Sequence, residues 1–106
     1  MKKYILNHIE EDIGMKYKRK AHFQVTTLAD DKIIMARGAE AIKFNGVIVP
    51  NESFMILWEK LLEYCEKDEL SQLLVDKYGI DLSVAIKDVD NCIKKMLEYQ
   101  LLDTKM

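Results

Sequence analysis

The sequence predicts an α+β domain: a three-stranded antiparallel sheet followed by three α-helices. Two observations carry this. Apolar residues alternate with polar ones in the first half, and they recur at helical spacing throughout the second. Strands first and helices afterwards make a three-helix unit with a small β wing the most economical packing. At 106 residues, the chain has material for one core. Its 49% hydrophobic and 32% charged composition is that of a soluble globular protein.

Residues 1–15 mix apolar and acidic residues without a clean period and read as an extension to a domain spanning 16–106. Ile5, Ile9 and Ile13 would form only a narrow helical stripe. The start at Met1-Lys2-Lys3-Tyr4-Ile5-Leu6 resembles a signal peptide, but Asn7, His8 and Glu10 to Asp12 cut the apolar stretch short. No apolar run approaches the ~20 residues of a membrane span, so a cytoplasmic protein without a membrane partner is expected. The basic pentad Lys16-Tyr17-Lys18-Arg19-Lys20 reads as a solvated junction in preference to an anion site.

Strands follow. Phe23, Val25 and Thr27 alternate with Gln24 and Thr26, and Ala29-Asp30-Asp31 is a turn into Lys32-Ile33-Ile34-Met35-Ala36. Gly38 breaks the chain before Ile42-Lys43-Phe44. The Asn45-Gly46 pair leaves two geometries open: a hairpin turn, or a bulge within one strand running to Val49. The β-branched run Val47-Ile48-Val49 ends at Pro50, and Asn51 is a suitable cap for the next helix.

In that helix Phe54, Leu57, Trp58, Leu61, Leu62 and Cys65 share one face. Asp68 is a candidate cap for the second, whose face is Leu70, Leu73, Leu74 and Tyr78 and whose end is Gly79. Asp81 is a candidate cap for the third, with Leu82, Ile86, Val89 and Ile93 central to its inward stripe and Met96 and Leu97 continuing it. One flank of that stripe is widened by Ala85, Cys92, Met96 and Tyr99, with Asp88 and Lys95 beyond. The extra width is explained either by contact with the N-terminal segment or strands, or by a groove beside the third strand.

The sequence contains no catalytic constellation. Four scattered glycines make no phosphate loop, and neither a nucleophile elbow nor a C-x-x-C motif is present. Paired carboxylates sit in polar, turn-like settings that suit solvated charge. His8 and His22 complete no zinc set, so no metal or cofactor is expected. Cys65 and Cys92 lie on apolar helical stripes and read as buried free thiols. An enzyme is not expected. A short β-branched strand at a sheet edge would instead offer free backbone donors and acceptors to an extended peptide.

Charge is divided unevenly. Residues 1–50 hold 9 Lys and Arg against 6 Asp and Glu, and residues 51–106 hold 7 against 12, leaving a net −2. The helical half is acidic, which weighs against nucleic acid. In particular, Lys87, Lys94 and Lys95 face Asp81, Asp88, Asp90 and Glu98 on the third helix, a poor match for phosphate.

Several stretches together resemble one known family. Phe44-Asn45-Gly46-Val47-Ile48-Val49-Pro50-Asn51-Glu52-Ser53, with Leu57-Trp58-Glu59 behind it, looks like the strand-to-helix junction of the PqqD family (pyrroloquinoline quinone biosynthesis D-like proteins). Lys77-Tyr78-Gly79-Ile80-Asp81, Lys87-Asp88-Val89 and Leu101-Leu102 fit the same pattern in order and spacing. The resemblance covers roughly residues 16–103. It implies a winged-helix-like fold and a recognition element for ribosomally made, post-translationally modified peptides.

Such a domain binds the leader of a precursor peptide and presents the core segment to a modifying enzyme, commonly a radical-SAM enzyme. The leader adds as a strand to the third strand and lies against the third helix. Carried over, these positions are Val47, Ile48 and Val49 on the strand, and Ala85, Asp88, Cys92, Lys95, Met96 and Tyr99 on the helix. The chain departs from the family in three places. Pro50 replaces an apolar residue with a free N–H, Phe54-Met55 replaces small residues, and Tyr99-Gln100 replaces a small-Gly pair. Two other functions fit the same fold class: a winged-helix DNA-binding regulator, and a scaffold subunit whose exposed strand pairs with itself in a homodimer.

Overall fold

The computed structural model describes residues 14–21, 23–36 and 47–106. The Ile5-Ile9-Ile13 stripe, both histidines, Gly38, the Ile42-Lys43-Phe44 run and the Asn45-Gly46 geometry lie outside the described residues. The elements are β1 (Lys16–Arg19), β2 (Phe23–Leu28), β3 (Asp31–Ala36), β4 (Val47–Ile48), α1 (Glu52–Lys60), α2 (Lys67–Tyr78), α3 (Leu82–Glu98) and β5 (Leu102–Lys105). The class is α+β, as expected.

Strands β2, β3 and β4 form an antiparallel sheet in that order, with Val25 opposite Ile34 and Ile34 opposite Ile48. Ala29 and Asp30 make the two-residue turn between β2 and β3, and Ala29 takes a φ of +57°. Among the described residues, strand β4 is therefore an edge.

A second sheet, absent from the sequence reading, pairs β1 with β5 in antiparallel register, Lys16 opposite Lys105 and Arg19 opposite Leu102. The basic pentad is thus a strand and not merely a junction. Its partner lies more than eighty positions along the chain, beyond the reach of any local pattern. Tyr17 also exchanges two backbone hydrogen bonds with Cys65, at 2.8 and 2.9 Å, and the Arg19 amide donates to the Leu61 carbonyl at 2.8 Å.

Those bonds explain a difference in α1. The apolar period of Phe54, Leu57, Trp58, Leu61 and Cys65 does mark buried side chains, but the backbone leaves the helix after Lys60. Leu61 and Cys65 use their carbonyls on β1 instead of on a continued helix. Leu62 is left exposed. Asn51 caps α1 as expected, its Oδ1 accepting from the Phe54 amide at 2.8 Å.

Helix α2 starts one residue before the expected cap. Glu66 holds that position and its amide donates to the Glu69 carboxylate at 3.2 Å, while Asp68 sits in the first turn. Gly79, at φ +65°, ends the helix with its amide on the Val75 carbonyl. Leu70 and Leu74 are buried, whereas Tyr78 is 38% exposed.

The core gathers Trp58, Leu57, Leu61, Leu70, Leu74, Val89, Ile93, Met96 and Leu101 from every helix and the last turn, with Tyr17 and Ile34 from the sheets. Phe23 meets Trp58 edge-on, with ring centroids 6.2 Å apart. Cys65 and Cys92 are buried free thiols. Burial, with the negative charge of Asp88, pushes the Cys92 thiol up to about 11. Among the described residues, no helix is long and apolar enough to cross a membrane.

Candidate functional site

Backbone hydrogen bonds decide what β4 can do. One side of Val47 and Ile48 is paired with Met35 and Ile34. The other side faces no strand among the described residues. The ladder stops at Ile48. Val49 continues past it with its side chain 64% exposed, and Pro50 then removes a donor before α1 begins. The three residues expected on the strand are therefore two paired residues and one free continuation.

Helix α3 is rotated from its sequence reading. Ala85, Val89, Cys92, Ile93 and Met96 are its buried residues. They span an arc of roughly 100°, at about 100° per residue. That arc is displaced by roughly 45° towards Ala85, Cys92 and Met96 from the stripe centred on Leu82, Ile86, Val89 and Ile93. Leu82 and Ile86 are 52% and 43% exposed. The chain reverses after Tyr99 and returns Leu101 and Leu102 to the core, with Leu101 bonded to the Met96 carbonyl at the end of that flank. Of the six helix positions assigned to a peptide, Ala85 and Met96 have no exposure and Cys92 has 6%. They pack in the core and offer no groove surface beyond the edge of Cys92.

Asp88, Lys95 and Tyr99 remain within reach, at i, i+7 and i+11 along one side of α3. Tyr99 is 47% exposed and Lys95 is exposed. Asp88 is half-buried and borders a cavity of about 570 Å³ shared with Asn51, Glu52, Ser53, Tyr78 and Ile80. This cavity opens three residues past Ile48, where the edge strand hands over to α1.

Sequence reading missed Glu52, Ser53, Tyr78 and Ile80. They come from two separate helix ends, and only the chain's folding brings them to Asp88. Tyr78 is held above its ordinary phenol range by desolvation, by its hydrogen bond to Glu52 and by the charges of Glu52 and Asp88, with Ser53 acting in the opposite direction.

No group of three or more metal-ligating side chains occurs among the described residues. No protein-family model matches the chain, and no curated protein matches it. A solved structure of lasso peptide synthetase B1 complexed with the leader peptide is similar in fold, with a TM-score of 0.64. The two chains are 13% identical over 82% of this chain and 96% of that one.

Proposed function

We propose that this protein is a non-catalytic leader-peptide-binding protein that presents a ribosomally made precursor peptide to a modifying enzyme. One observation carries the reading: among the described residues β4 is paired on one side only, in a fold similar to that of a protein solved in complex with a leader peptide. The leader adds as a strand to Val47 and Ile48, runs past Val49, and lies against the Asp88, Lys95 and Tyr99 side of α3. Main-chain bonds supply affinity and side-chain contacts supply selection. The buried Ala85, Cys92 and Met96 hold the helix in place beneath that strip. The PqqD-like motifs favour a radical-SAM enzyme as the partner, and the winged-helix-like arrangement is the frame for both contacts.

Panning a library of short random peptides, followed by hydrogen exchange with the best binder, tests this. Protection is expected at the outward amides of residues 47–49. Ile48→Pro should lower affinity by about tenfold to a hundredfold, as one or two backbone bonds of ~0.5–1.5 kcal/mol are lost. Unchanged exchange at 47–49 under saturating peptide would overturn the reading.

A further inference from the structure

We infer that the cavity between Asn51, Glu52, Ser53, Tyr78, Ile80 and Asp88 is a side pocket that takes one long cationic side chain, lysine or arginine, of the bound peptide. The inference rests on the strand-addition reading for its place in a peptide, and on its own geometry for its chemistry. The pocket lies three residues beyond Ile48, which an extended chain covers in about 10 Å. A peptide paired on β4 and continuing along Val49 therefore passes over its mouth.

The lining decides the occupant. The pocket is a wide depression open to solvent, of about 570 Å³, with room for a long, flexible side chain. The Tyr78 ring and Ile80 give an apolar wall suited to an aliphatic stem. Two carboxylates, Glu52 and Asp88, border the same space, and no lysine or arginine lines it among the described residues. A helix N-terminus ordinarily attracts anions. Here the Phe54 amide is already taken by the Asn51 side chain, and Glu52 occupies the first turn. An anionic ligand would meet both carboxylates.

The test has two arms. In the first, N-acetyl-lysine methylamide and N-acetyl-arginine methylamide are titrated into the labelled protein, with N-acetyl-norleucine methylamide as the uncharged control, and amide shifts are read by NMR. Shifts clustered at residues 51–53, 78–80 and 88 are expected for the cations. Norleucine should produce much weaker ones, and the difference should vanish in the Glu52→Gln, Asp88→Asn double variant. In the second arm, the best library peptide carries lysine, norleucine or glutamate at each position in turn. Lysine should be preferred over norleucine by about fivefold to tenfold at one position, as expected for one cation shared by an exposed and a half-buried carboxylate, and less so at high salt.

Equal shifts for all three amides would overturn the pocket. So would a peptide that protects residues 47–49 with no cation preference, and that result would leave strand addition standing. Cation shifts at the pocket with no peptide protection at 47–49 would support the pocket and remove the leader-binding reading.

Discussion

The amide of Leu101 donates to the carbonyl of Met96 at 2.9 Å, across a reversal in which Gln100 takes a φ of +59°. Gln100 in turn donates to Leu97 at 3.0 Å, so α3 ends in the paired 6→1 and 5→2 bonds of a Schellman motif. Leu101 and Met96, both without exposure, pack as its apolar closure. The motif requires a left-handed residue at Gln100, the position where PqqD-like proteins carry glycine.

Gln100→Gly should therefore stabilise the domain. A side chain in the left-handed region costs roughly 1–2 kcal/mol, partly offset by glycine's greater unfolded-state freedom, so a net gain of about 0.5–1 kcal/mol is expected. Gln100 is exposed and loses no packing on substitution. Thermal melts should show a rise of a few degrees. A lower melting temperature would mean that the Gln100 side chain makes a stabilising contact.

Met96→Glu and Tyr99→Glu should separate core from binding surface. The first buries a carboxylate at a site with no exposure and should cost more than about 4 kcal/mol, enough to unfold much of a marginally stable domain. The second lies at a half-exposed position and should change the melting temperature little while weakening peptide binding. Circular dichroism and a binding titration on both variants check this. A folded Met96→Glu would show that the flank opens to solvent.

Stability should decline on the alkaline side. The Cys92 thiol is raised from about 9 to about 11 in the folded chain, so the unfolded chain releases its proton first. The stabilisation is complete below pH 9 and is lost as pH rises through about 11. Cys65, raised by burial and by Glu69, acts in the same direction. Cys92→Ala should flatten the fall in denaturation midpoint between these pH values relative to the parent. An unchanged slope would place the alkaline titration elsewhere.

Lys16→Glu should stabilise the β1–β5 pair. Lys16 lies opposite Lys105, and like charges directly across a ladder repel. Reversing one should gain roughly 0.2–1 kcal/mol at low salt and less at high salt. The Lys105 ammonium, 4.2 Å from the Tyr64 ring centre, stays in place to meet the new carboxylate. A denaturation series in low and high salt reads both effects, and loss of stability in low salt would contradict the register.

Local chemistry made several elements legible from the sequence alone. Alternation identified β2, the turn at Ala29-Asp30-Asp31 led into β3, the β-branched run before Pro50 identified β4, and Asn51 and Gly79 marked helix ends by hydrogen-bonding preferences that act within four residues. Apolar periodicity identified Leu57, Trp58, Leu70, Leu74, Val89 and Ile93 as core, because a buried face must recur with the helical turn. Whatever depended on distant partners was decided by tertiary structure. The β1–β5 sheet needed both chain ends to meet. The end of α1 was moved by Tyr17 claiming the Cys65 backbone, and the buried face of α3 was set by the neighbours it packs against. A helical wheel gives the width of an apolar stripe but not which of its edges a neighbour will cover. The reachable strip at Asp88, Lys95 and Tyr99, and the pocket that joins Asp88 to Glu52 and Tyr78, exist only once those neighbours are in place.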